Sequence, residues 1–146
     1  MIGAKLIVRI IAPSVRVRMN KQDQTNINLE TNVLTLGTDN ERGYKWFLAH
    51  VRESHGYRRV NKYSIKLWQI LHELGHYFTD SYTDEGEESN FIRIMCALSP
   101  ENLVEDKKAA FVYFDLSKEW AATQWAINWI EYHGFKARLF SILARF

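Results

Sequence analysis

The stretch Leu71–Phe78, LHELGHYF, sets two histidines four residues apart with a glutamate beside the first. On an α-helix, residues four apart are neighbours on one face, so His72 and His76 can each aim a ring nitrogen at one metal ion. Glu73 is rotated by one position, where a carboxylate reaches a water held by the metal rather than the metal itself. Zinc lowers the pKa of such a water towards neutrality, and the carboxylate takes its proton and passes it to a leaving amine. This is the H-E-x-x-H logic of metal-dependent peptide hydrolysis. The competing reading is an ordinary helix with two capped or partly exposed histidines. Gly75 favours the metal: a small residue there lets the helix pack closely on a neighbour, despite a helix cost of about 1 kcal/mol relative to Ala.

Working outward, Ser64 is a good N-cap for IKLWQILHELGHYF. At about 100° per residue, Leu67, Leu71, Leu74 and Phe78 form one stripe flanked by Ile70, while His72 and His76 share another face with Ile65 and Trp68. The pattern predicts a central helix with one face on the core and the opposite one lining a cleft. Upstream, the first forty residues favour strands. KLIVRII is β-branched, SVRVRM after Pro13 alternates apolar and basic, and INLET and VLTLG, separated by Asn32, read as a hairpin or successive short strands. NERGYKWFLAHVRES puts Trp46, Phe47, His50 and Val51 at helical spacing, stopped by Gly56. Downstream lies the acidic loop TDSYTDEGEESN, then FIRIMCAL, which fits helix or strand. SPENLVEDKKAAFVYF reads as a helix with Ser99 as N-cap and Pro100 at N1. A last helix runs from Ser117 to about His133, ends at Gly134, and is followed by the basic-amphipathic tail FKARLFSILARF.

A catalytic zinc takes three protein ligands and leaves its fourth position to water. The metzincin arrangement needs Gly at 79 and His at 82, where this chain has Thr79 and Tyr82. A third histidine shortly downstream, as in SprT-like proteases, is absent, since no His falls between His76 and His133. What remains is a glutamate on a later helix. Glu119 is the best candidate, with Glu131 and the acidic residues of the 84–88 loop as alternatives; the helix dipole alone also favours a glutamate in a first turn. A tetrahedral oxyanion needs a donor, for which His133 is the first choice, with Tyr132 and Tyr113 as alternatives.

Composition narrows the class. The chain has 146 residues, 47% of them hydrophobic, with five Trp, seven Tyr and eight Phe, which fits a single domain, 1–146, with an aromatic core. A formal net charge of only +2 gives no general case for nucleic-acid or membrane binding. The single cysteine, Cys96, points to a reducing compartment, and MIGAKLIVRIIAP, broken by Arg9, reads as neither a signal peptide nor a bilayer span. A cytoplasmic location is the expectation. Arg16, Arg18 and Lys21, with Arg58 and Arg59, read as a small basic patch or as plain strand alternation.

HELGH followed by a helix of form E-x-x-A-x-x-aromatic-A, here EWAATQWA with Glu119, Ala122, Trp125 and Ala126, resembles the ImmA/IrrE family of small metallopeptidases. The resemblance implies an α+β, gluzincin-like minimal metallopeptidase, with a small N-terminal antiparallel sheet packed on the H-E-x-x-H helix and a C-terminal glutamate-bearing helix. It implies one Zn²⁺ per chain held by His72, His76 and Glu119, with Glu73 as base. Members are often encoded by phages and mobile elements, where some cut or regulate repressor proteins. This chain carries Thr123 where members usually have Asn or Asp. The expectation is a zinc-dependent endopeptidase acting on an intracellular protein or peptide, bound by β-augmentation along INLET or VLTLG, with no nucleic-acid or membrane partner. The alternatives are a non-proteolytic, zinc-containing protein-binding regulator, or a virion or cell-wall hydrolase, against which the lack of a secretion signal argues.

Overall fold

In the computed structural model, which describes residues 2–20, 25–37, 44–79 and 107–146, every residue from Leu67 to Gly75 is buried. This segment belongs to the helix Ile65–Thr79, on which the sheet and the first and last helices pack. The described residues form a mixed α+β architecture of five helices and one three-stranded sheet. In chain order these are α1 (Ile2–Ile11), β1 (Arg16–Asn20), β2 (Asn26–Asn28), β3 (Val33–Gly37), α2 (Tyr44–Glu53), α3 (Ile65–Thr79), α4 (Lys107–Phe114) and α5 (Ser117–Leu143), with a 3₁₀ turn at Val60–Lys62.

The first element corrects the expectation of a strand. KLIVRII lies within α1, because Gly3, Ala4, Ile7 and Val8 fall on one helical face and that face is buried. Tertiary packing outweighs the β-preference of Ile and Val here. Gly3 seals the arrangement: a Cβ at this position would overlap the Leu143 carbonyl of α5.

The sheet is mixed, not antiparallel. Its order is β1-β3-β2, with β1 parallel to β3 and β2 antiparallel to it. β3 is the most apolar strand, and Leu34, Thr35, Leu36 and Gly37 are all buried, so it takes the centre. β1 alternates with Arg16 and Arg18 outward, as its sequence implies. The β2–β3 turn is built by asparagines. Asn28 Oδ1 accepts the backbone N–H groups of Glu30 (2.9 Å) and Thr31 (3.2 Å). Asn32 adopts φ +56°, a conformation its short polar side chain tolerates.

α3 begins as predicted, with the Leu67 N–H reaching Ser64 Oγ at 3.3 Å. Its two faces do not divide into core and cleft, because the sheet, α1 and α5 all pack on it. Phe78, expected on the core stripe, is 44% exposed and stacks on Trp125 at 5.0 Å. α2 covers Tyr44–Glu53 of the predicted segment, whose first residues, 40–43, lie outside the described residues, and Gly56 (φ +71°) follows it. α5 starts at Ser117 as expected, with Leu116 at the cap position, but it does not stop at Gly134. That residue (φ +25°) is a kink, after which the helix resumes and carries the predicted tail to Leu143. The Ser64 N–H donates to Ser141 Oγ at 2.7 Å, pinning this last segment to the start of α3. The Ser99 cap, FIRIMCAL with Cys96, and the acidic loop lie outside the described residues.

Candidate metal centre

α3 and α5 form the most extensive interhelical contact among the described residues, and Gly75 makes their approach close. A Cβ on Gly75 would stand 2.8 Å from the Ala122 Cα, so only glycine admits the α5 backbone there. Gly75 lies three residues after His72, and Ala122 three after Glu119. Pressing the small residues together therefore brings the imidazoles and the carboxylate to one level of the helix pair.

His72 Nε2 lies 3.1 Å from Glu119 Oε1, and His76 Nε2 lies 2.8 Å from Glu119 Oε2. One ligand atom from each residue falls within 4.8 Å of the others, and the three side chains could hold a metal ion. The donor set fits one: ligands at about 2.0–2.1 Å from a tetrahedral zinc are themselves roughly 3.4 Å apart. Glu119 is 2% and His72 2% exposed, so the helix dipole is not the main reason for a glutamate at this position. The alternative Glu131 lies elsewhere, on an exposed part of α5, and the 84–88 loop falls outside the described residues.

The protonation pattern follows from burial and mutual contact. Burial opposes ionisation of Glu119, but hydrogen bonds from His72 and His76 outweigh it and hold the carboxyl far below the usual range. Burial pulls His72 down; for His76 the same effect is overcome by Glu119, and its pKa rises. Thr123 Oγ1 lies 3.1 Å from His72 Nδ1. A hydroxyl both donates and accepts, so Thr123 can hold the ring in either tautomer. Phe47 and Phe114 pack edge-on to the same ring, at centroid distances of 5.1 and 6.0 Å.

Glu73 is buried next to this cluster, and burial together with the Glu119 charge pushes its pKa up to about 8, against the pull of His76. It also accepts a hydrogen bond from the Ile27 backbone N–H of β2. Among the described residues β2 lies at the edge of the sheet, and its Ile27 meets the site. β3 is central and has no free edge, which removes VLTLG as a docking strand.

His133 is not brought to the site. It packs on Trp129 (4.4 Å) and Tyr132 (4.9 Å), fourteen residues past Glu119. At 1.5 Å per residue that is about 21 Å along the helix. Tyr132 is 85% exposed alongside it. The third candidate, Tyr113, does reach the cluster. Its hydroxyl donates to Glu119, and burial with the nearby Glu119 and Glu73 charges keeps it protonated well above the ordinary tyrosine range.

Tyr44 escaped the sequence reading, whereas Thr123 is singled out there only as a departure from the family's usual Asn or Asp. Tyr44, at the start of α2, is likewise held protonated by burial and by the charges of Glu73 and Glu119; no local motif marks it. Thr123 is one turn beyond Glu119 on the same face, a spacing that does mark it. His50 and His55 stand apart from the ligands. His50 is fully buried and bonded to Asp115 Oδ1 at 2.8 Å, and His55 stacks on Trp120 at 3.7 Å. No helix of the described residues is long and apolar enough to cross a membrane. No protein-family model, curated protein or solved structure matches this chain.

Proposed function

We propose that the protein is a zinc-dependent endopeptidase of gluzincin-like construction, with Zn²⁺ held by His72, His76 and Glu119. The observation that carries this reading is the meeting of two imidazole Nε2 atoms and both oxygens of one carboxylate at 2.8 and 3.1 Å, across two helices. When bound, zinc supplies a Lewis acid that polarises a scissile carbonyl and acidifies a water. Glu73, beside His72 on α3, takes the proton of the attacking water and returns it to the departing amine. Its raised pKa, about 8, makes this carboxylate a stronger base than an exposed glutamate. Tyr113, protonated at any working pH, donates to the oxyanion that develops on the substrate carbonyl. The backbone of β2 at Ile27, whose N–H already points at Glu73, offers an edge on which an extended peptide lies as an added strand.

Metal analysis joined to proteolysis of an unfolded protein substrate tests this. The wild type binds about one zinc per chain. His72→Ala and Glu119→Ala lose it, and Glu73→Gln keeps the zinc but not the turnover. Tyr113→Phe lowers kcat by about a hundredfold, the loss that follows removal of one oxyanion donor, with metal content unchanged. Cleavage that persists in Glu73→Gln would remove the assigned base. A wild type that binds zinc and cleaves nothing would favour the non-proteolytic regulator.

A further inference from the structure

Two helical segments remote from the metal centre turn apolar side chains outward. On α1, Gly3, Ala4, Ile7 and Val8 face the core, whereas Ile2, Leu6 and Ile10 are 81, 40 and 46% exposed. After the Gly134 kink, Ala137, Phe140 and Ser141 face inward, whereas Phe135, Leu139 and Ile142 are 76, 46 and 55% exposed. At about 100° per residue, the latter three fall within roughly 60° of helix surface. Lys136 borders that stripe on one side and Arg138 on the other; Lys5 and Arg9 border the α1 stripe. The helices touch where Gly3 meets the Leu143 backbone, so Ile2 and Ile142 flank one junction.

The charge on these two segments is of one sign. Segments 2–11 and 135–145 carry Lys5, Arg9, Lys136, Arg138 and Arg145 and no acidic residue. Beside the kink, Arg59, Tyr63, Glu131, Phe135 and Arg138 line a pocket of about 260 Å³. Two guanidinium groups against one carboxylate leave it positive, and Phe135 and Arg138 belong to the outward face as well.

We infer that this face docks on the surface of an anionic phospholipid bilayer. Ile2, Leu6, Ile10, Phe135, Leu139 and Ile142 enter the acyl boundary, the flanking Lys and Arg reach back to the headgroups, and Arg59 and Arg138 receive a lipid phosphate. The contact is peripheral. The same charges disfavour a second copy as occupant, since a two-fold contact would set like charges against like. A whole-chain charge of +2 does not show this, because it sums these two basic segments with acidic residues elsewhere in the sequence.

Vesicle co-sedimentation of the full chain tests the inference. The wild type binds phosphatidylcholine vesicles containing phosphatidylserine far better than phosphatidylcholine alone, and added salt weakens binding. Leu139→Gln/Ile142→Gln abolishes it, and Arg59→Gln/Arg138→Gln lowers affinity about fivefold per cation removed. Both double variants keep the wild-type circular dichroism and zinc content, which separates this outcome from the fate of the peptidase reading. Failure of the wild type to bind phosphatidylserine vesicles overturns the inference, as does binding that neither double variant weakens. A dimer broken by Leu139→Gln/Ile142→Gln, in a chain that ignores vesicles, gives the face to a second copy and overturns it too.

Discussion

Ionised Glu73 must sit in a buried site beside the Glu119 carboxylate, and that cost is why its pKa climbs from 4.5 to about 8. Below the unfolded value both states are protonated and the group opposes folding least. As pH rises towards 8 the unfolded chain sheds the proton while the folded chain keeps it, so metal-free stability falls by about 1.4 kcal/mol per pH unit across that window. Denaturant melts of chelator-treated protein should show a slope that Glu73→Gln reduces by this amount, with His76 and His72 contributing the remainder. Thr123 makes a second residue-scale case. Thr123→Val keeps the shape but leaves His72 Nδ1 buried with no partner, which costs about 1–3 kcal/mol. Zinc affinity should also fall by about 10–100-fold on titration, because the ring loses the group that orients it. Restoration by Thr123→Ser would tie both losses to the hydroxyl.

For the elements, the decisive contact is Gly75 against Ala122. Gly75→Ala improves helix propensity by about 1 kcal/mol, but the added carbon overlaps α5 backbone, which has no rotamer to escape into. Overpacking of about 1–3 kcal/mol therefore prevails. The variant should melt lower and bind zinc more weakly, since any parting of α3 and α5 lengthens both histidine contacts to Glu119. This pair was legible in the sequence because its signals are local: the H-E-x-x-H spacing, a small residue inside it, and a glutamate one turn before Ala122. α1 was not, since its β-branched composition pulls towards strand and only the packing of Ala4, Ile7 and Val8 settles the helix. Nor was the centrality of β3, which depends on which strand the chain returns to insert. The choice of His133 failed for a geometric reason: chain order does not convey how far along α5 a residue stands from the ligands. Tyr113, weighed only as an alternative, reaches Glu119 from the end of α4, six residues upstream of it.

The whole molecule is organised so that the ligands hold its core together. α3 contributes Leu67, Trp68, Ile70, Leu71 and Leu74 to the core and α5 contributes Ala126, Ile127 and Ile130, with the two histidines and Glu119 on the same helix pair. Unfolding must separate the helices, and separation scatters the ligands. Zinc therefore binds the folded chain in preference to the unfolded one and stabilises it by about 2.7 kcal/mol at a free concentration one hundred times the Kd. For a domain of this size that corresponds to a rise in Tm of about 10 °C. The rise should be larger at pH 8 than at pH 6, because the metal must displace the proton that Glu119 helps His76 retain. Calorimetry with zinc, then with chelator, should show the gain and its full reversal. Glu119→Ala separates this linkage from nonspecific metal effects: it removes one ligand and the partner of both imidazoles, so its Tm should no longer respond to zinc. A zinc-dependent rise that survives in Glu119→Ala would place the stabilising ion somewhere other than between α3 and α5.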